Sequence, residues 1–412
     1  AGRREGGAEA PPKLRIMSYN ILANRLAEEH YYDLYRAVPI KYMEWQYRLE
    51  GIVREVRRLK PDILCLQVCS PGLIAWTFRT MKLTLGGLFS MKEVDAFDDL
   101  ERELRGTGYC GTFIGRNGHA EGCATFWKFQ AFECLASESI DFSRHNLRNN
   151  VALVHVLRVK GLHDHKLVLG NIHVLFNPKR GDIKLAQIRT LFDVVASARK
   201  AHACHSAVIC GDFNSVPDSP LYSFISLGKL DCSACDRKYL SGQVEGLSCG
   251  IESFLGRSKP NSLAKMDDAA TNPQATARKQ KTSNHWSQEN LRIALGSDVC
   301  EQPSSNPGPI GSSSSSSVAT HPLRLVSSYK TVSSMEPAYT SAHRRFVGTV
   351  DYIWYDVGED GDGNTASLSP VGVLLPPSMH DLARENEYCL PSKRWPSDHM
   401  SVVTDFAIRE AK

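Results

Sequence analysis

The most informative stretch of the sequence is Ser206-Ala207-Val208-Ile209-Cys210-Gly211-Asp212-Phe213-Asn214. Its first five residues are small or apolar, and a short run of this kind predicts a buried strand. Gly211 then opens a loop that carries a carboxylate and an amide. Loops at strand ends are where sheet-based enzymes bind their ligands. Taken alone, this loop is also compatible with an ordinary turn.

Other polar residues occupy the same kind of position. The residues at the ends of predicted strands are Asn20, His173, Asp212, Asn214, Asp351 and His399. A set of Asp, Asn and His without a thiolate suits a hard cation such as Mg²⁺, which neutralises phosphate charge. A carboxylate can deprotonate an attacking water, and an imidazole held by a carboxylate can stabilise developing charge. Each residue alone has an ordinary structural explanation, so it is the joint pattern that indicates phosphoryl-transfer chemistry.

Hydrophobic periodicity predicts two long helices, and short β-rich runs predict eight strands. The helices span residues 42–59 and 181–199, where apolar residues recur at helical spacing. The predicted strands span residues 14–20, 63–66, 122–127, 151–159, 166–176, 206–210, 351–355 and 400–408. Residues 1–13, which are rich in Gly, Ala and Arg, are expected to form a flexible N-terminus.

Residues 244–321 break this pattern. They contain the run Ser312 to Ser317, a cluster of Pro, Gly, Ser and Asn, and few large apolar residues. Such a composition cannot bury enough surface to offset its ordering entropy, so a disordered insert is expected. Because the segments on both sides carry parts of one candidate site, residues 14–410 are interpreted as a single catalytic domain that this insert interrupts.

The overall composition is that of a globular protein, with 412 residues, 42% hydrophobic and 23% charged. The net charge of +4 is too mild to indicate a polyanionic partner by itself. No run reaches about 18 apolar residues, so no membrane span is expected. The twelve cysteines are scattered, and Cys232 and Cys235 form the only C-x-x-C. This usage argues against a zinc site and fits a reducing compartment.

The chain resembles the endonuclease/exonuclease/phosphatase superfamily, and within it the deadenylase branch of carbon catabolite repressor protein 4 homologs, with Angel and Nocturnin proteins as relatives. The likeness covers about residues 14–244 and 323–406. It implies a DNase I-like four-layer α/β/β/α sandwich, with two mixed sheets face to face and helices outside. Six motifs occur in the superfamily's order: Ser18-Tyr19-Asn20, Leu66-Gln67, Asn171-Ile172-His173, Gly211-Asp212-Phe213-Asn214-Ser215, Gly348-Thr349-Val350-Asp351-Tyr352-Ile353 and Ser397-Asp398-His399.

The resemblance also implies a role for each candidate residue. Asp212 would activate the attacking water and Asn214 would help to place it, while His173 would bind the scissile phosphate. Asp351 would orient His399, and both would support the phosphoryl transition state. The remaining implied roles are a metal contact for Asn20 and substrate binding for Asn150, Pro178 and Phe346, the last two flanking an adenine.

The expected metal motif is interrupted in this chain. Relatives have the sequence Leu-Gln-Glu-Val at the end of the second strand, and that Glu is the main metal ligand. Here the sequence is Leu66-Gln67-Val68, and the rest of the family motif begins only at Glu93. Removing residues 68–92 restores the motif. We interpret this segment as a retained intron or splice product, with a genuine loop insertion as the alternative. Glu93 is then the expected metal ligand, and we expect the insert to weaken Mg²⁺ binding by displacing it.

The leading function implied by the resemblance is Mg²⁺-dependent 3′→5′ removal of poly(A) from messenger RNA, releasing AMP, with Mn²⁺ able to substitute. Two alternatives stay open: a phosphatase acting on RNA 2′,3′-cyclic phosphates, as in some Angel relatives, and a non-catalytic RNA-binding or scaffold form. RNA is the implied partner. Membership of a CCR4-NOT-type deadenylase complex is left open, because the chain shows no leucine-rich repeat segment. The implied location is the nucleus and cytoplasm.

Overall fold

A computed structural model describes residues 11–69, 96–117, 121–162, 165–256, 285–296, 317–358, 368–384 and 389–409. Glu93 and all but the first two residues of segment 68–92 lie outside these ranges. So do the first ten residues and the serine run up to Ser316. The expectations that concern these segments stay predictions.

Most of the described strands belong to two sheets of six. The strands of the described ranges are β1 (Lys13–Asn20), β2 (Ile63–Cys69), β3 (Tyr109–Gly115), β4 (Gly122–Lys128), β5 (Phe132–Asp141), β6 (Val151–Val159), β7 (Lys166–His173), β8 (Ser206–Asp212), β9 (Lys229–Asp231), β10 (Val318–Thr320), β11 (Leu325–Ser327), β12 (Ser341–His343), β13 (Phe346–Gly348), β14 (Asp351–Asp356), β15 (Leu368–Val373) and β16 (Val402–Ile408). The first sheet has the order β15-β16-β1-β2-β4-β3, and the second has the order β11-β14-β8-β7-β6-β5.

The helices of the described ranges are all too short or too polar to span a lipid bilayer. They are α1 (Asn24–Glu29), α2 (Trp45–Leu59), α3 (Ala96–Arg105), α4 (Gly181–Ala201), α5 (Pro220–Leu227), α6 (Ile251–Phe254), α7 (Gln288–Leu295), α8 (Ser328–Ser333) and α9 (Met379–Arg384). The predicted helices 42–59 and 181–199 correspond to α2 and α4. Helix α2 begins three residues later than predicted, because residues 40–42 form a separate 3₁₀ turn.

Each sheet contains one parallel pair, and a helix connects the two strands of that pair. Strands β1 and β2 are parallel and joined through α2, while β7 and β8 are parallel and joined through α4. Parallel neighbours require such a crossover. As a result, the carboxyl ends of β1 and β2 lie together in one sheet, and those of β7 and β8 lie together in the other.

Three buried apolar layers hold the sandwich together. The alternation of side chains along β1 places Ile16 between the two sheets and Met17 beneath α2. Strand β8 does the same, with Val208 between the sheets and Ile209 beneath α4. The strands therefore bury both faces, as the apolar run at 206–210 predicted. The four-layer α/β/β/α sandwich is confirmed.

Strand β7 is shorter than predicted and ends at His173 instead of Phe176. The chain leaves the sheet at Val174, whose carbonyl accepts a hydrogen bond from the Asn214 side chain at 3.0 Å. Phe176 is exposed. The apolar character of residues 174–176 was therefore a misleading signal, because it continues past the last residue of the sheet.

The expectation of disorder is wrong for the described parts of residues 244–321. Helix α7 begins at a Ser287 side-chain cap and buries Ala294 and Leu295 in the core around α4. Its Asn290 amide donates to the buried Asp182 carboxylate at 3.1 Å. Strand β10 pairs with β9. These segments are short, but they pack against existing structure, and that contact is not visible in a composition average.

A buried polar contact joins the two sheets beneath the carboxyl ends of β2 and β7. The Asn171 side-chain amide donates to the carbonyls of Leu66 at 3.2 Å and Ala124 at 2.8 Å, and to Thr125 Oγ1 at 3.2 Å. Its Oδ1 accepts from the Gln67 amide at 2.9 Å. Asn171 lies in the second sheet and the others lie in the first. The contact therefore sets the relative position of the sheets two residues before His173.

We expect Asn171→Leu to lower the free energy of unfolding by about 2–4 kcal/mol, because it keeps the volume but leaves buried polar partners unsatisfied. Urea denaturation followed by circular dichroism measures this loss. Asn177→Leu, at an exposed position, is the matched control and should change stability by less than about 0.5 kcal/mol. Equal midpoints for the two variants would contradict the structural role of Asn171.

Candidate active site at the strand ends

Both sheets contribute side chains to one buried polar cluster. His173 and Asp212 end the neighbouring strands β7 and β8 and are register partners, and Asp351 begins β14 opposite Asp212. Asn20 comes from the other sheet, at the end of β1. His399 lies just before β16 and forms an isolated bridge with Ser341. The structure thus brings together residues that are up to 379 positions apart in the chain, as the joint motif pattern predicted.

Asp212 lies at the centre of this cluster. Its Oδ2 accepts a hydrogen bond from the Asn20 amide at 3.0 Å and lies 3.5 Å from His173 Nε2 and 4.0 Å from His399 Nε2. Burial raises the pKa of Asp212 to about 7, repulsion by Asp351 adds to this, and His399 opposes it. A carboxyl group with this pKa exchanges a proton readily at neutral pH, which suits a general base.

The Asn214 backbone holds the Asp212 carboxylate in place. Asn214 has a positive φ of 47°, a conformation that Asn tolerates better than most residues, and its N–H donates to Asp212 Oδ1 at 2.9 Å. The Asn214 carbonyl in turn accepts from the buried Lys184 ammonium at 2.6 Å. Its side-chain amide donates to the Val174 carbonyl. In this structure, Asn214 orients the carboxylate; its predicted contact with the water stays a prediction.

His399 and Asp351 form a buried ion pair. Their Nδ1 and Oδ2 atoms lie 2.8 Å apart, and the Thr340 hydroxyl donates to the same oxygen at 2.6 Å. Burial lowers the pKa of His399, but the attraction and hydrogen bond of Asp351 outweigh it and raise the pKa to about 10. His399 is therefore an imidazolium at neutral pH. The Ser397 hydroxyl accepts from the His399 N–H and donates to the Asn20 carbonyl, which ties this turn to β1.

The second histidine has the opposite protonation state. Burial lowers the pKa of His173 to about 3, and the positive charges of Arg116, His399 and Lys184 add to the effect. His173 is therefore neutral where His399 is charged. One site thus offers a cationic donor, a neutral imidazole and a carboxyl group near its midpoint, and groups whose pKa values are driven apart are typical of acid–base sites.

The remaining predicted residues of the described ranges lie around the cluster, and their predicted roles are not visible in their contacts. Asn150 donates its amide to the His173 carbonyl at 3.0 Å, so it supports His173 from behind. Pro178 is half-buried in the turn after β7. Phe346 is 5% exposed and packs beside His343, with ring centroids 6.1 Å apart. Packing accounts for Phe346 in this structure, and the adenine-binding roles of these residues stay predictions. Glu93 lies outside the described residues.

The chemistry of the cluster fits a hard cation. Oxygens of Asp212 and Asp351 and a ring nitrogen of His399 lie within 4.8 Å of one another. Because His399 is an imidazolium and has no lone pair for a metal, the two carboxylates are the groups that fit a hard cation. Asp351 Oδ1 is buried and has no hydrogen-bond partner among the described residues, which makes it an oxygen free for coordination. A divalent cation beside Asp212 would also lower the pKa of that carboxyl group. The Asn20 amide oxygen accepts from the Leu22 N–H at 3.1 Å and retains one lone pair.

Sequence reasoning missed the residues that support the site. Lys184, Thr340 and Ser397 each make a buried hydrogen bond to a candidate residue or to its backbone. Ser397 lies within a recognised motif and could have been assigned from it. Lys184 is surrounded by apolar helix residues, and Thr340 lies in a loop, so neither carries a local signal.

We expect Asp351→Asn to lower the pKa of His399 from about 10 to within or below the neutral range, because burial persists while the main attraction is lost. A pH titration of the imidazole ¹⁵N shifts measures this. The control is Asp381→Asn, at a carboxylate on the exposed end of α9. An unchanged His399 titration in Asp351→Asn would contradict the pairing.

Comparison with known proteins identifies the family of this chain. The model of the endonuclease/exonuclease/phosphatase family matches residues 17–399. Carbon catabolite repressor protein 4 homolog 3 of Arabidopsis thaliana is 32% identical, and the match covers 97% of this chain and 76% of the homolog. Homolog 5 of the same plant is 34% identical, and the match covers 95% of this chain and 77% of that homolog. The crystal structure of ANGEL2, a 2′,3′-cyclic phosphatase, in complex with adenosine-2′,3′-vanadate, superposes with a TM-score of 0.70 at 27% identity, covering 97% of each chain. The predicted resemblance is confirmed, and this chain belongs to the endonuclease/exonuclease/phosphatase family.

Proposed function

We propose that this chain is a Mg²⁺-dependent 3′→5′ exoribonuclease that shortens poly(A) and releases AMP. The observation that carries the proposal is the buried pairing of the Asp212 carboxylate with His399, whose Nε2 lies 4.0 Å from Asp212 Oδ2 and whose Nδ1 is held by Asp351 at 2.8 Å. Hydrolysis of a phosphodiester needs a base for the water and a positive charge for the phosphoryl oxygens. The similarity to two carbon catabolite repressor protein 4 homologs supports poly(A) as the substrate.

In the proposed mechanism, Asp212 takes the proton of the attacking water. The water oxygen bonds to phosphorus, the bond to the 3′ oxygen of the preceding nucleotide breaks, and a proton returns to that oxygen. Hydrogen bonds from the Asn20 amide and the Asn214 N–H fix the orientation of the Asp212 carboxylate during this step. His399, fixed by Asp351, stabilises negative charge on the phosphoryl oxygens, and neutral His173 donates a hydrogen bond to a phosphate oxygen.

Mg²⁺ would neutralise phosphate charge and polarise the phosphorus–oxygen bond when bound. We propose that Glu93 and Asn20 hold it beside the Asp212, Asp351 and His399 cluster. Mn²⁺ should substitute, because it accepts the same oxygen ligands. We also propose RNA as the partner and the nucleus and cytoplasm as the location, with membership of a CCR4-NOT-type deadenylase complex as a further possibility to test by co-purification.

A second candidate is hydrolysis of RNA 2′,3′-cyclic phosphates. It is favoured by the extent of the structural similarity to ANGEL2, whose adenosine-2′,3′-vanadate complex has a TM-score of 0.70 with this chain. The chemistry is closely related, because a water attacks phosphorus and a ribose oxygen leaves. The two activities differ in whether the leaving oxygen belongs to the preceding nucleotide or to the same ribose as the phosphate.

We expect the purified chain to convert a 5′-labelled RNA ending in adenosines into a Mg²⁺-dependent ladder that stops at the first other base. Asp212→Asn should lower the rate at least about 100-fold, because the base is lost at constant shape. Asp381→Asn is the control. The same RNA body ending in a 2′,3′-cyclic phosphate tests the second candidate. Opening of the cyclic phosphate without a ladder would refute the deadenylase, and inactivity on both substrates, with and without residues 68–92, would refute both.

We expect deletion of residues 68–92 to increase Mg²⁺ affinity, because the deletion returns Glu93 to the position directly after Gln67. Isothermal titration with Mg²⁺ measures the affinity, and the RNA assay run in parallel shows whether activity follows. Unchanged affinity would contradict the displaced-ligand hypothesis. If neither form binds Mg²⁺ or cleaves RNA, the non-catalytic RNA-binding or scaffold form becomes the better explanation.

A further inference from the structure

A groove on the outer side of the first sheet carries a concentration of positive charge. It lies between the exposed side of α2 and the loop that leads to His399, and its volume is about 480 Å³. The side chains that give it its character are Tyr47, Arg54, Arg58, Lys393, Arg394 and Trp395. We call this feature the basic groove. It contains none of the residues of the candidate active site.

The two walls of the basic groove come from different parts of the chain. Helix α2 presents Tyr47, Arg54 and Arg58 to it from one side, at spacings of seven and four residues. The opposite wall is the segment of Lys393 and Trp395. The Tyr47 hydroxyl donates to the Lys393 carbonyl at 3.2 Å and joins the walls. The groove therefore has a defined shape, because a helix and an anchored loop form it.

The charge in the basic groove is not balanced within the described residues that line it. Arg54, Arg58 and Lys393 line it with one carboxylate, Glu55, while the Arg394 guanidinium lies over the Trp395 ring, 5.6 Å from its centroid. Glu55 is buried and accepts a hydrogen bond from the Ser401 hydroxyl at 2.6 Å. Burial raises the pKa of Glu55. Arg54, Arg58 and Lys393 are exposed. The groove therefore favours an anionic ligand.

The aromatic side chains indicate which class of anionic ligand fits the basic groove. Trp395 and Tyr47 are half-buried and line the same groove as the cations. A positively charged groove that also offers aromatic rings is the arrangement that binds single-stranded nucleic acid, with phosphates at the cations and bases on the rings. An acidic peptide would use the charges but would have no need of the rings.

The position of the basic groove connects it to the active site. Trp395 precedes His399 by four residues, and four residues span at most about 14 Å. Pro396, between them, packs against α2: a side chain at Gly51 would approach its Cβ to 2.9 Å. Pro396 also accepts a long hydrogen bond from Arg48 at 3.5 Å. The groove is therefore held within a few nucleotides' reach of the scissile phosphate.

We propose that the basic groove binds the single-stranded RNA upstream of the 3′ end that occupies the active site. This rests on the proposed function in taking RNA as the ligand. The groove would hold the chain through its phosphates and through stacking on Trp395. Longer substrates would then bind more tightly than short ones, without any change in the groups that perform the chemistry.

The test compares two double variants that each remove two positive charges. Arg54→Gln with Lys393→Gln alters both walls of the groove. Lys200→Gln with Lys229→Gln removes two exposed cations from the layer that covers the other sheet. Both are made in the Asp212→Asn background so that RNA is not consumed. Fluorescence anisotropy with a 5′-labelled twelve-adenosine RNA then measures affinity between 50 and 200 mM salt.

The groove variant should reduce the dependence of log affinity on log salt by about 1.4, because each phosphate contact on a single strand contributes about 0.7. Its loss of affinity should accordingly be about sevenfold larger at 50 mM than at 200 mM salt. The control variant should retain the wild-type dependence. Circular dichroism shows that both variants are folded.

Equal salt dependence in the groove and control variants overturns the proposal. Weaker binding of a labelled twelve-glutamate peptide by the groove variant, with unchanged RNA affinity, overturns it in favour of an acidic protein partner. Failure of the proposed function is a separate result, because binding is measured without cleavage. A chain that binds RNA through the groove but never shortens it would sustain this inference and refute the exonuclease.

Discussion

The relative position of the two sheets is the constraint on which the rest of the structure depends. Neither sheet carries a complete site, since Asn20 ends a strand of one sheet and His173 and Asp212 end strands of the other. Apolar packing between sheets is not directional and would tolerate small shifts. The Asn171 amide is directional, because its hydrogen bonds cross from one sheet to the other just below the site.

The buried charges of the site follow from the way in which the two sheets pack together. Asp212 and Asp351 are register partners on adjacent strands, so two carboxylates must share a space that excludes water. Burial and repulsion by Asp351 raise the pKa of Asp212, and the positive charge of the His399 imidazolium opposes this increase. Because the folded pKa of His399 lies above its unfolded value, its protonation stabilises the fold fully below about pH 6.5. That contribution is lost as the pH rises through about 10.

The parts that sequence could predict are those with a local signature. Strand β8 and helix α2 follow from apolar runs and helical spacing, and the strand-end polar residues follow from their position in motifs. The supporting contacts were not predictable in this way. Lys184 reaches the Asn214 carbonyl from a separate helix, and α7 is ordered by packing against α4 within a segment whose composition favours disorder. These interactions depend on long-range proximity, which a local pattern does not encode.

The loop before β16 connects the basic groove to the active site through its backbone. Arg48 is fully buried, and its guanidinium donates to the carbonyls of Ile21 and Leu22 after β1, so it fixes the chain beyond Asn20. Arg48 also donates to the Pro396 carbonyl, one residue before Ser397, whose hydroxyl accepts a hydrogen bond from the His399 N–H. A ligand that moved Trp395 would therefore act on the same loop backbone that carries His399. Tight packing at Gly51 limits such movement, so the loop can present a binding surface on one side without disturbing the hydrogen bond between His399 and Asp351 on the other.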